Sequence, residues 1–418
     1  MKDFYTINLQ LFATQVTTQD SLSPEMKTFY DMTLIDEAQA NLVHDQFGQK
    51  RPIPQGSGKT IEFRKFAPLA KAMTALTEGV TPAGSDLTVT SMTATVSQYG
   101  DYISQSDVLE LTAIDNTIVE ATKLLGRQAG LTLDTVTRNV LNAGTNVSYA
   151  SKWSGTTETA VSARKDLDKT AVLKVDTINQ VVAKLRACNA PAIDGYYVAI
   201  VHPYVAYDLM RDEEWKKPHQ YKDTTNLYTG EIGEIGGVRF VQSTEAKVFA
   251  GGNVKLGTDA SGNDVNYLVL NGAITAGAKT TFNFDGVTVE ADALIGKYLN
   301  VGGVFVCVTD NDTTSVTFES TTLPAVADNT KIYATECKDG AVFSTLFIAD
   351  GAYGVTEITG GGLQTIVKQK GSAGTSDPLD QRSSVGWKAI KTAKILIPDY
   401  IVRVESCSSR YSAIASEN

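Results

Sequence analysis

Gly58-Lys59-Thr60 reproduces the end of a phosphate-binding loop, in which backbone N–H groups and a lysine cradle phosphate oxygens while a hydroxyl meets magnesium. The full pattern needs a glycine five positions before Gly58, and Ile53 stands there. Pro52 and Pro54 occupy the place of the preceding strand, and Ile61-Glu-Phe-Arg-Lys-Phe66 alternates like a strand where the helix should begin. Nucleotide binding is set aside on these departures. His202-Pro203 follows an apolar run, a place where an enzyme could keep a general base, but no nucleophile or carboxylate stands at a recognisable spacing from it. A satisfied structural histidine is the expectation, and His44 and His219 have no better company. Asp310-Asn-Asp312 lacks the glycine and distal glutamate of a calcium loop and reads as an acidic hairpin turn. Cys188, Cys307, Cys337 and Cys407 form no CxxC pair, so reduced structural thiols are expected rather than a zinc site or a disulfide framework. No residue is assigned to catalysis, to a cofactor or to a metal, and the chain does not read as an enzyme.

The elements around these residues are more informative. From Thr117 to Gly144, apolar or small residues recur every three or four positions at Ile118, Ala121, Leu125, Ala129, Leu133, Val136 and Val140. That spacing predicts one helix of about 27 residues and about 40 Å. Thr117 and Glu120 have capping-box spacing, and Asn142-Ala-Gly144 offers a left-handed stop. Lys123, Arg127, Asp134 and Arg138 fall between the stripe positions, where water or another subunit would meet them. Gly126 and Gly130 each cost roughly 1 kcal/mol against alanine in a helix, which marks them as packing positions under a closely crossing backbone.

Before the helix, Ser23-Pro24-Glu25 starts a shorter helix in the N-terminal arm, and residues 59–103 read as a long hairpin. Its strands are Thr60–Phe66 and Leu87–Tyr102, joined by a polar loop of a length that is usually functional. After the helix, strand and helix alternate: a helix over Thr177–Cys188, a buried strand over Tyr196–Val201, a helix over Pro203–Arg211 and a strand over Val238–Val241. From Gly252 to Gly340 the chain turns to short β runs between Gly, Asn, Asp and Thr, with five lysines against eleven acids. Strand Gly386–Leu396 is expected to pair with Ile401–Glu405 across Pro398-Asp399.

At 418 residues the chain should hold two or three domains, and 42% hydrophobic with 20% charged residues is an ordinary globular balance. A formal charge of −10 is the wrong sign for gripping phosphates. No apolar run approaches the roughly 18 residues of a membrane span, and the first residues lack the basic and apolar segments of a signal peptide. Synthesis and residence in a cytoplasm without a membrane partner are the expectation.

Several stretches carry a resemblance. Leu42-Val-His-Asp-Gln-Phe-Gly-Gln-Lys-Arg-Pro-Ile-Pro54, Gly58-Lys-Thr-Ile-Glu-Phe-Arg64, Leu76-Thr-Glu-Gly-Val-Thr-Pro82, Gln98-Tyr-Gly-Asp-Tyr102 and Leu141-Asn-Ala-Gly-Thr-Asn-Val147 resemble the major capsid proteins typified by the N4-like and related tailed bacteriophages. So do Ile348-Ala-Asp-Gly-Ala-Tyr-Gly354, Lys370-Gly-Ser-Ala-Gly-Thr-Ser-Asp-Pro-Leu379 and Val385-Gly-Trp-Lys388. The resemblance covers about residues 1–250 and 341–410 and omits the acidic block.

It implies an α+β chain with the Hong Kong phage-type capsid fold. The parts would be an N-terminal arm (1–58), an extended loop (59–103), a peripheral domain (104–169 and 360–418) with spine helix 117–144, an axial domain (170–251 and 341–359) and an inserted β-rich surface domain (252–340). It also implies a structural function, as hexamers and pentamers of the icosahedral head around double-stranded DNA held non-specifically on the inner face. A portal is a further implied partner, and the short stretch before Pro24 implies a separate scaffolding protein. Leu69, Met73, Leu76 and Val80 are apolar anchors in the hairpin loop; with Phe63, Arg64, Phe66 and Glu78 they are the candidate inter-subunit contacts. A host-surface or glycan-binding role through the acidic β block is the competing reading.

Overall fold

The computed structural model describes residues 34, 42–54, 56, 58–66, 69, 71–73, 75, 78–79, 84–108, 117–219, 233–357, 362–368, 379 and 381–418. The expected arm helix lies outside these residues except for Leu34, which is helical and fully buried; Leu76 and Val80 also lie outside them.

The long helix runs Thr117–Asn142. Leu125, Ala129 and Leu133 pack with Leu34 on Val385, Trp387 and Ala389 of the strand Arg382–Ile395. Burying a leucine or a comparable side chain contributes about 1.5–3 kcal/mol, so this one contact fastens the helix to its sheet. Gln128 adds a polar cross-link, donating to Asp101 Oδ2 at 2.6 Å and accepting from Trp387 Nε1 at 3.2 Å. Neither expected terminal signal is used. The Thr117 hydroxyl donates to Gln105 at 3.1 Å, while Glu120 pairs with Lys123. Gly144 is not left-handed, and the last helical carbonyl, that of Asn142, accepts instead from the Arg403 guanidinium.

Strand Arg382–Ile395 pairs antiparallel with Ser97–Ser106, Gln364–Lys368 and Tyr353–Glu357, and Gln49–Lys50 lies parallel on the last of these. The expected hairpin with Ile401–Glu405 does not form. Pro398 begins a 3-10 turn that redirects the chain, and Ile401–Ser406 enters a second sheet between Val342–Ile348 and Val147–Tyr149. That sheet continues through Tyr197–Val201 and its parallel neighbour Val238–Gln242. Tyr197–Val201 and Val342–Ile348 are buried along their whole length, as strands covered on both faces must be.

The strand expected over Leu87–Tyr102 is two strands broken at the buried Val96, whose N–H bonds to Lys59 O at 3.0 Å. Val89–Thr95 pairs with Thr60–Phe66 in a separate two-stranded sheet, the hairpin, and Ser97–Ser106 joins the first sheet.

Residues 267–335 close a six-stranded antiparallel barrel of Tyr267–Leu270, Gly277–Asp285, Ser315–Leu323, Val304–Asn311, Tyr298–Val301 and Lys331–Thr335, in that spatial order. Of the apolar runs in this block, Val287–Glu290 makes only an isolated bridge, Thr288 to Thr258, whereas Tyr298–Val301 is a full strand. Phe282, Phe284, Leu299 and Phe318 fill the barrel with aliphatic neighbours.

Both joints of the barrel are packed. Gly251 has φ +102°, and a Cβ there would lie 2.0 Å from Ala334 O. Glu417 accepts from Gly252 N at 2.5 Å and pairs with Lys247 at 3.2 Å. On the return, Arg164 reaches Glu336 at 3.3 Å. Gly251→Ala is therefore expected to lower the thermal midpoint of the protein, because backbone strain and a collision with a strand carbonyl are added together. Gly262→Ala, at a left-handed turn with open space around it, should cost less in the same thermal unfolding measurement.

Candidate assembly site

Two structural features bear on function: a polar clamp that gathers distant parts of the chain, and the hairpin that leaves it. The clamp is built on Asp134, one of the helix positions assigned to the wet face. It is fully buried. Its Oδ1 accepts from the backbone N–H groups of Val43 at 2.9 Å and His44 at 2.7 Å, and Oδ2 meets His44 Nδ1 at 2.7 Å. The next residue, Asp45, accepts from Thr137 at 2.6 Å and from Lys391, whose ammonium also donates to Leu133 O at 3.0 Å. The Tyr353 hydroxyl donates to His44 O. Residues 43–45 are thus held by the helix, by strand Tyr353–Glu357 and by strand Arg382–Ile395.

Arg138, also assigned to the wet face, is 2% exposed; it donates to Glu245 O at 3.0 Å and pairs with the Glu245 carboxylate at 3.5 Å. Burial pushes its guanidinium pKa down, against the raising charges of Glu245 and Asp134. The helix is covered on more than one side because the arm segment and the second sheet lie on flanks that an apolar stripe does not mark. No local spacing reveals the clamp: His44 and Asp134 are 90 residues apart, and Asp45 and Lys391 are 346 apart.

A second polar knot ties the barrel to the second sheet. Glu405, fully buried, takes both Arg164 Nε and Nη2 at 2.6 Å, and Arg403 pairs with it at 3.0 Å. Burial alone would lower the Arg164 pKa, but the hydrogen bonds and charge of Glu405, with Glu336 behind them, hold it above its ordinary value. The guanidinium also lies 3.8 Å from the Phe249 ring centroid. Cys337 and Cys407, widely separated in sequence, lie beside this knot with sulfurs 3.6 Å apart.

The histidine after the buried strand is structural. His202 Nδ1 accepts from Tyr204 N at 3.2 Å and caps helix Pro203–Met210, while its ring lies against Tyr204 and Phe343. Asp312 is likewise occupied, its carboxylate accepting from Thr314 N at 2.7 Å and Ser315 N at 2.6 Å, as expected of a hairpin turn. Gly58-Lys59-Thr60 leads directly into strand Thr60–Phe66.

In the hairpin, Phe63 is withdrawn from the inter-subunit set. It is 2% exposed and packs on Ala94 and Leu396 of its own chain, with Gly354 close beneath its ring. That contact roots the hairpin. Beyond it Arg64 and Glu78 are exposed, Leu69 is 59% and Met73 84% exposed, and Leu87 on the returning side is 67% exposed. Gly126 and Gly130 are both buried in the long helix.

The described residues thus show a hairpin rooted at Phe63, with Leu69, Met73 and Leu87 exposed, beside two sheets tied by buried polar groups. The sequence model of the family described as phage capsid protein matches residues 8–296, and the chain belongs to that family. It is a bacteriophage capsid protein, a component of the virion shell. The fold agrees with that of solved phage capsids. The cyanophage Pam1 capsid matches with a TM-score of 0.52 at 11% identity over 98% of this chain and 100% of that one. The capsids of cyanophage P-SCSP1u and Ralstonia phage GP4 each match with a TM-score of 0.50 at 12% identity over 87% of both chains. No curated protein matches the sequence.

Two outcomes test the clamp and the histidine. Asp134→Ala should destabilise the protein by about 1–3 kcal/mol for each buried donor it orphans, seen as a lowered midpoint in thermal or denaturant unfolding. For His202, burial pushes the pKa from 6.5 down to about 4. As the pH falls through that window the unfolded chain takes up a proton that the folded chain refuses, so stability drops with pH and the loss is complete below about 4. His202→Asn keeps a capping acceptor without a titrating ring. Its midpoint should therefore fall less between neutral pH and pH 4 than that of the natural protein.

Proposed function

We propose that this capsid protein is the major shell subunit of a tailed double-stranded DNA phage, with the Hong Kong phage-type fold, closing as hexamers and pentamers. In this reading residues 59–103 are the extended loop, the Thr117–Asn142 helix is the spine of a peripheral domain shared by both ends of the chain, and the fully buried strands belong to the axial domain. The acidic block 252–340 is an inserted domain facing outward, since its excess of eleven acids over five lysines would repel packaged DNA. Assembly takes place in the host cytoplasm with a separate scaffolding protein and a portal, and the subunit performs no catalysis.

The observation that carries this reading is the hairpin: Leu69, Met73 and Leu87 are large apolar side chains left wet on a rooted arm, where a neighbouring subunit would cover them. A Leu69→Asp, Met73→Asp double variant should fold with an unchanged thermal midpoint, because neither residue is buried in its own chain. Coexpressed with the scaffolding partner, it should yield capsomers that fail to close into shells under electron microscopy. Normal shells from that variant would overturn the role given to the hairpin.

A further inference from the structure

We propose that Cys337 and Cys407 form a modification site, a thiol pair that oxidises to a disulfide and covalently fastens the return of the barrel to the end of strand Ile401–Ser406. The two sulfurs lie 3.6 Å apart and both residues are fully buried, whereas Cys188 is exposed and Cys307 partly so. Each follows the end of a strand whose backbone is already held. Cys407 N donates to Ala171 O at 2.8 Å, and Cys337 O accepts from Gly340 N at 3.2 Å and from the Thr335 hydroxyl at 3.3 Å. The walls are apolar, with Leu167, Ala171, Phe249 and Val342 in the same cluster. A disulfide has sulfurs about 2.05 Å apart, so closing the gap asks each sulfur to move by less than about 1 Å through side-chain rotation.

The chemistry needs a small oxidant, and a peroxide suffices. One sulfur attacks a peroxide oxygen, the O–O bond breaks, and a sulfenic acid and water result. The second sulfur then displaces the sulfenic oxygen as water. Two thiols and one hydrogen peroxide thus become one disulfide and two waters. Reducing cytoplasm keeps such a pair as thiols, and the oxidising world outside the host favours the bond. The closed loop spans 70 residues of chain separation and would restrict the unfolded ensemble accordingly.

The test uses the full chain. The reduced protein is incubated folded with hydrogen peroxide, and in a second arm is refolded from denaturant in a glutathione redox buffer, where burial cannot shield the thiols. Both samples are alkylated under denaturing conditions and mapped by mass spectrometry. The expected result is a fall from four alkylatable cysteines to two, a peptide joining Cys337 to Cys407, and a rise in the thermal midpoint that dithiothreitol reverses. Cys337→Ala and Cys407→Ala should each abolish the bridged peptide and the rise. The Cys337–Cys407 peptide in either arm supports the proposal. Its absence from both, or bridges that instead involve Cys188 or Cys307, overturns it.

Discussion

A carboxylate in the middle of a long helix cannot be buried without company, because an uncompensated charge away from water costs several kcal/mol. Asp134 meets this requirement by drawing in the Val43-His44 backbone and the His44 ring, and Asp45 beside them draws in Thr137 and Lys391. The remaining architecture follows from satisfying those groups together. The arm must pass the helix at that turn, and the first sheet must stand where Lys391 and Tyr353 can reach it. Hydrophobic contact between the helix and Trp387 would tolerate small slips, whereas a set of directed hydrogen bonds does not. The clamp thereby sets the register of one end of the chain against the other.

The same logic repeats at the second sheet, again around a buried carboxylate. Glu405 is the buried anion, and Arg164 and Arg403 come to it from the connector and from its own strand. Arg403 also satisfies the helix's last carbonyl, a task expected of a left-handed glycine. One side chain therefore joins the helix terminus to the sheet, and Gly144 is released from the unusual conformation.

The barrel illustrates a different constraint. An acidic module with its own apolar core needs only two chain crossings to the rest of the protein, and flexible joints would let it swing. Here the crossings are filled: Gly251 because a strand carbonyl occupies the place of a Cβ, Gly252 because the Glu417 carboxylate lies against it, and Glu336 because Arg164 holds it. The glycines allow close approach, and at Gly251 a left-handed backbone as well, rather than serving as loose hinges.

Local pattern was enough to determine the long helix, the Thr60–Phe66 strand, the buried Tyr197–Val201 strand and most of the barrel strands, because 3.6-fold and two-fold periodicities are properties of neighbouring residues. The exposed apolar residues of the hairpin were legible for the same reason, and the capsid family was legible from short ordered motifs. What only the tertiary structure decided is which partners meet. Ile401–Ser406 leaves its sequence neighbour for another sheet at Pro398, and Phe63 turns into its own body. Asp134 and Arg138, charged and apparently wet, are buried by segments 90 or more residues away. Charge and spacing along a chain do not encode such meetings; they arise when buried polar groups must find donors, and the donors that satisfy them come from wherever the folded backbone brings them.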